Sequence, residues 1–148
     1  MPLNHELATV NRKGLMPMLT AAALADVIAA MNIASGVYTP TLTNVTNLDG
    51  STAFECQYMR VGSSVTVSGR VSVDPTLTAT ATELGISIPI ASNFAGQGDC
   101  GGAAFAIGIA GQGAGIRADL TNDRAEMKWV ATDVTDQSMF FIFMYQVI

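Results

Sequence analysis

Charge is what this sequence has least of. Of its 148 residues, only 13% are Asp, Glu, Lys or Arg, about half the roughly 25% of an ordinary globular chain. The seven basic residues are scattered and outnumbered by twelve acidic ones. No basic stripe is left to displace counterions from phosphate, which excludes a nucleic-acid partner. Histidine occurs once, as His5 near the chain start, and no Gly-x-Ser-x-Gly elbow accompanies it. That closes the nucleophile-and-base route of esterases and proteases. Cysteine occurs twice, as Cys56 and Cys100, too few for a disulfide scaffold or a four-ligand zinc site. Two partly buried thiols are the expected reading, with a single bridge as the alternative. Long apolar runs are missing as well. The stretch from Leu15 to Ala30 is broken by Pro17 and Asp26, which argues against a membrane span and against a secretory signal.

What is present is small and apolar. Apolar residues make up 49% of the chain, and a surface so poor in charge is expected to be covered, subunit contacts being the usual cover. The length suits one domain with its own core. Residues 1–36 balance Arg12 and Lys13 against Glu6 and Asp26, so the net charge of -5 resides wholly in residues 37–148.

These two regions differ in period. Residues 1–16 have no sustained period and mix Leu3, Leu7, Val10 and Leu15 with Asn4, Asn11 and Arg12, as an arm does, with a short uncapped helical turn around Glu6 to Val10 as the one local element the pattern allows. From Pro17 the spacing of Ala21, Leu24, Ile28 and Met31 predicts a helix of about four turns, ended by Gly36. Leu24, Ile28 and Met31 form a short seam, read either as an oligomer interface or as packing on the chain's own β domain. Two heptads alone make a marginal coiled coil.

Beyond Gly36 the pattern is strands and turns. Candidate strands run over 37–44, 53–60, 64–73, 82–90, 102–110, 114–120, 125–132 and 139–146. The clearest is 64–73, where Val65, Val67, Gly69, Val71 and Val73 share one face and Thr66, Ser68, Arg70 and Ser72 the other. Gly62, Gly111 to Gly113 and Thr121 to Arg124 supply the turns. The fold class expected is mainly β: an antiparallel β-sandwich or jelly-roll-like domain, 37–148, preceded by an N-terminal arm and one short α-helix, 1–36. The last strand, Met139 to Gln146, is almost continuously apolar, so burial on both faces is expected. Phe141, Phe143 and Tyr145 are assigned to a subunit interface, since such a patch is unusual on a monomer. The small residues from Ala103 to Ile109 would let two backbones approach closely.

Catalytic and ligand motifs are weak. Glu55, Glu83, Asp119, Glu126 and Asp133 give no specific carboxylate pair and are read as solvated outward positions. Gly96 to Gly102 is glycine-dense but has no lysine and no following helix, so it is not a phosphate loop. Asp49, Asp99 and Asp123 do not form a dense oxygen cluster for calcium. Trp129 is expected in a core or interface rather than on a sugar-stacking surface. No cofactor is implied, and the chain is read as a non-enzyme.

Several segments together carry a resemblance. Ser35-Gly36-Val37-Tyr38-Thr39-Pro40-Thr41-Leu42-Thr43-Asn44-Val45, the hairpin from Cys56 to Val73, Glu83 to Phe94 and the terminal Phe143-Met144-Tyr145-Gln146-Val147-Ile148 resemble a β domain of bacteriophage tail fibres and other virion surface proteins. The similarity covers about three quarters of the chain. It implies a virion structural protein, typically trimeric, made in the host cytoplasm and displayed on the virion surface. Only 36 residues precede the domain here, where tail fibres carry a long shaft. The expectation is therefore a capsid decoration or head-fibre protein, a homotrimer bound to the major capsid protein or another virion protein. Leu3, Leu7, Val10 and Leu15 would be its anchoring arm. The alternative is a tail-fibre or receptor-binding tip that attaches to host surface carbohydrate. Neither reading involves nucleic acid or membrane.

Overall fold

The computed structural model describes residues 21–148. Leu3, Leu7, Val10 and Leu15 lie outside them. The chain divides into two compact units, Met1–Ile33 and Ala34–Ile148.

In the first unit the described element is the helix Ala21–Ala30, none of whose residues is buried. Leu24, Ile28 and Met31 are all exposed. The helix stops before Gly36. The Met31 N–H still donates to the Val27 carbonyl at 3.0 Å, but Asn32 takes φ 49°, the left-handed conformation in which Asn commonly terminates a helix. Gly36 instead lies in a strand beneath Tyr58, where an added Cβ would stand 3.0 Å from a ring carbon.

The second unit is mainly antiparallel β. Its strands are β1 (Ala34–Tyr38), β2 (Leu42–Thr46), β3 (Leu48–Ala53), β4 (Cys56–Val61), β5 (Ser64–Pro75), β6 (Thr80–Ile86), β7 (Cys100–Ala106), β8 (Gly113–Asp119), β9 (Arg124–Ala131) and β10 (Gln137–Gln146). Hydrogen bonding joins them in one ladder ordered β1-β4-β5-β10-β7-β8-β9-β6-β2, with β3 returning to pair with β5. Because β2 and β3 are consecutive, joined at Asn47 (φ 56°), the sheet curls until its far end meets β5. Ser51 Oγ closes this corner by donating to Asn44 Oδ1 at 2.5 Å.

Pro40 explains a difference from the sequence expectation. A single strand over 37–44 is not formed, since the chain breaks at Thr39-Pro40; β1 pairs with β4 while β2 crosses to β6. Proline has no N–H for a ladder and biases its predecessor, so the segment switches sheet edges there. β3 was not anticipated, because Leu48-Asp49-Gly50-Ser51-Thr52-Ala53 has the composition of a loop.

The core fills the curl. Val65, Val67, Val71 and Val73 of β5, Leu84 and Ile86 of β6, Met127 of β9, and Met139, Phe143 and Tyr145 of β10 are buried in it. The four rings Phe94, Tyr145, Phe143 and Phe141 run in series through it, with centroids 5.7 to 6.2 Å apart, spacings favourable for aromatic pairs. Trp129 is also in the core, 6% exposed.

Candidate interaction surface

Register decides which side chains reach the surface. β10 lies between β5 and β7, with Phe141 opposite Gly69 and Ala104, and Phe143 opposite Val67 and Gly102. This places Phe141, Phe143 and Tyr145 inside the chain's own core, where they are at most 4% exposed. The sequence assignment of these three to a subunit interface is corrected accordingly. Strand alternation turns their neighbours Phe140, Ile142 and Met144 outward. β10 is thus buried on one face only, and Ile142 and Met144 are 56% and 55% exposed. Within the chain, close approach occurs at Gly102, just before the small-residue stretch: an added Cβ there would stand 2.5 Å from that of Phe143.

The outward residues continue across neighbouring strands. β5 adds Ser64, Thr66, Ser68, Arg70 and Ser72; β4 adds Gln57, Met59 and Val61; β7 adds Gly101, Ala103 and Phe105. The charges on this face are Arg70 and, at the end of β5, Asp74; the Arg70 guanidinium is stacked 3.7 Å over the Phe54 ring. Phe105 and Phe140 lie stacked, centroids 6.1 Å apart and planes 25° from parallel. With Gln57, Ser68, Arg70 and Glu55 they line a shallow depression of about 420 Å³.

The other half of the curl carries the charge. On β8, β9 and β6, Arg117, Glu126, Lys128 and Glu83 form one network. Arg117 Nε is 2.6 Å from Glu126 Oε2, and Lys128 Nζ lies 2.9 Å from Glu83 and 3.4 Å from Glu126. Glu126 is not the solvated carboxylate expected from sequence, being 7% exposed. The two acids are hydrogen-bonded to each other, which raises the pKa of Glu83; burial adds to this and Lys128 opposes it. For Glu126 burial acts upward but is outweighed by hydrogen bonds from Glu83 and Arg117, so its pKa falls. Asp119 pairs with Arg124 at 2.8 Å. Each carboxylate here already has a basic partner, the arrangement of a structural ion-pair network.

Two of the loop aspartates are held by backbone N–H groups. Asp99 accepts the N–H groups of Ala95 and Gly96 at 2.8 and 2.7 Å. Asp123 accepts those of Ser92, Asn93 and Phe94. Among the described residues no group of three His, Cys, Asp or Glu is arranged to hold a metal ion, and no helix is long and apolar enough to cross a membrane. Cys56 and Cys100 are free, buried thiols. Burial pushes both upward, Cys100 to about 12, so both are protonated and unreactive at neutral pH.

The outward face of β4, β5, β10 and β7 was legible only as a surplus of apolar residues, since sequence pattern does not say which alternate set meets the core when both are apolar. No family model and no curated protein matches the chain.

Proposed function

We propose that the chain is a non-enzymatic bacteriophage virion structural protein. In this reading it is a capsid decoration or head-fibre protein, displayed as a homotrimer on the particle surface. Its N-terminal arm and helix join it to the major capsid protein or another virion protein. One observation carries the proposal: half of the β surface is apolar, hydroxyl-rich and almost free of charge, although it lies on central strands that no other element of Ala34–Ile148 covers. Such a surface is characteristic of a subunit contact rather than of a freely soluble monomer. The pairing of Glu83, Glu126 and Asp119 with Lys128, Arg117 and Arg124 supports a structural role for these carboxylates, and the phage assignment itself rests on the sequence resemblance.

A second reading has its own support. The stacked Phe105 and Phe140 rings, bordered by Gln57, Arg70 and Glu55, offer a platform on which the apolar face of a sugar ring would pack, as a tail receptor-binding tip requires.

Imaging of labelled protein in intact particles distinguishes them. Many copies over the head, with particles that lose physical stability when the protein is removed, are expected. Copies confined to the tail tip would favour the second reading, and absence from the particle would reject both.

A further inference from the structure

We infer that one end of the β unit, built by the connections 76–79, 107–112 and 132–136, docks a basic polypeptide segment that also carries apolar side chains. The inference goes beyond the assembly reading above and concerns a different surface.

These connections lie with the β2–β3 corner at the end of the unit opposite Ala34, which pairs with Arg60 beside the Gly62 turn. They are stitched to one another. Asn47 Oδ1 accepts the Leu77 N–H and the Thr76 hydroxyl at 2.9 and 2.6 Å. The Ala79 N–H donates to the Ala131 carbonyl at 2.7 Å, and Gln112 Oε1 accepts the N–H and hydroxyl of Thr132 at 2.8 and 2.9 Å. From this braced frame Leu77, Ile107 and Val134 stand out, 61%, 71% and 46% exposed. Aliphatic side chains gathered on water-facing loops mark a contact surface, and because the loops are already held, little further ordering accompanies binding.

Charge selects the occupant. Asp49, Asp74, Asp133 and Asp136 lie in or beside these connections, while 47–52, 72–79, 106–112 and 132–138 contain no Lys, Arg or His. The ion pairs among the described residues involve Glu83, Asp119 and Glu126 instead. Asp74 and Asp136 line one depression of about 250 Å³ together with Ser51 and Ser72. Both serine hydroxyls already donate, Ser51 to Asn44 and Ser72 to Asp136, each at 2.5 Å. These four side chains therefore offer a ligand acceptors only, and Lys or Arg, which only donate, are the complement. Nucleic acid and anionic lipid are repelled. A metal ion is disfavoured too, since among the described residues no three acidic, Cys or His side chains converge to hold one.

The core beneath is unsatisfied at the same end. Among the described residues the buried side-chain atoms without a hydrogen bond are Trp129 Nε1 and both amide atoms of Gln137. Gln137, 4% exposed, opens β10 directly after Asp136. An unpaired buried amide is costly, a cost that a polar group of the partner at this end would relieve.

The test uses the full chain labelled with nitrogen-15 and two blocked tripeptides: Leu-Arg-Leu, and its citrulline counterpart of the same shape without the charge. The arginine peptide should shift the amide resonances of Gly50, Asp74, Leu77, Val134 and Asp136 with a dissociation constant on the order of a millimolar, and the citrulline peptide should bind about tenfold more weakly. Joint Asp74→Asn and Asp136→Asn substitution should remove that preference. Leu77→Ser should weaken both peptides alike. If the double variant unfolds, the comparison of the two peptides on the parent carries the test alone. No shifts at these positions, equal binding of the two peptides, or a preference unchanged in the folded double variant would each overturn the inference. So would calcium chloride alone producing the same shifts, which would make the depression a metal site instead.

Discussion

At Gly69 the hairpin that dominates the sequence pattern shows why an alternating strand carries one residue without a side chain. Four valines of β5 face the core, and at the fifth inward position an added Cβ would overlap Cys56 Sγ and stand 2.9 Å from Cys56 Cβ and 3.2 Å from Phe141. Gly69→Ala should therefore overpack the site and lower stability by roughly 1–3 kcal/mol, read from the urea midpoint. Because the closest obstacle is the sulfur, Cys56→Ala should recover part of that loss in the double variant, a coupling that a double-mutant cycle measures. Additive losses would show that the strain lies in the backbone instead. The same burial that crowds Cys56 keeps its thiol protonated. Neither Cys56 nor Cys100 should react appreciably with iodoacetamide in the native protein at neutral pH, and both should react once urea unfolds it; native labelling at the free-thiol rate would contradict the buried placement.

Individual elements were legible to different degrees, for identifiable reasons. β5, β8 and β9 were readable within one or two residues because their alternation is bounded by turn residues that work as expected: Gly62 at φ 62° and Gly111 at φ 77°. β10 was found but its faces were inverted, since aromatic and aliphatic residues fill both of its alternate sets and only pairing with β5 and β7 selects one. β3 and the break at Pro40 depend on partners distant in sequence. The link from Asp123 to the segment after β6 was equally invisible. Its carboxylate accepts from Ser92, Asn93 and Phe94 N–H at 3.2, 2.8 and 3.1 Å, clipping the β6–β7 connection to the β8–β9 turn. Burial acts to raise the Asp123 pKa, but the three N–H groups outweigh it and lower the value below the ordinary aspartate range. An acid whose pKa is depressed by folding adds stability above its unfolded pKa and loses it as pH falls through the folded value. Asp123→Asn should then cost roughly 1–3 kcal/mol at neutral pH, with the difference from the parent shrinking on acidification. Asn accepts the left-handed φ of 48° found there, so backbone strain does not confound the comparison. A pH-independent difference in urea midpoint would assign the loss to shape rather than charge.

Across the whole molecule, the division of the outer surface into a charged half and a nearly uncharged half makes opposite predictions for how it associates. If copies meet through β4, β5, β10 and β7, assembly removes apolar and hydroxyl groups from water, a process that screening by salt does not oppose. If they met through β8, β9 and β6, the contact would have to use Arg117, Lys128 and Glu83, whose attraction for a partner is attenuated when the Debye length falls to about 3 Å at 1 M salt. Sedimentation equilibrium at low salt and at 1 M sodium chloride separates the two. The dissociation constant should change by less than about threefold or should tighten, as expected for a contact made mainly by apolar burial. Weakening by tenfold or more would move the interface to the charged half and leave the exposed ridge of Phe140, Ile142 and Met144 without the partner assigned to it. In the proposed assembly the low charge content would follow from position: Glu83, Arg117, Glu126 and Lys128 pair with one another on β6, β8 and β9, and the charge-poor outward face of β4, β5, β10 and β7 would be where copies meet.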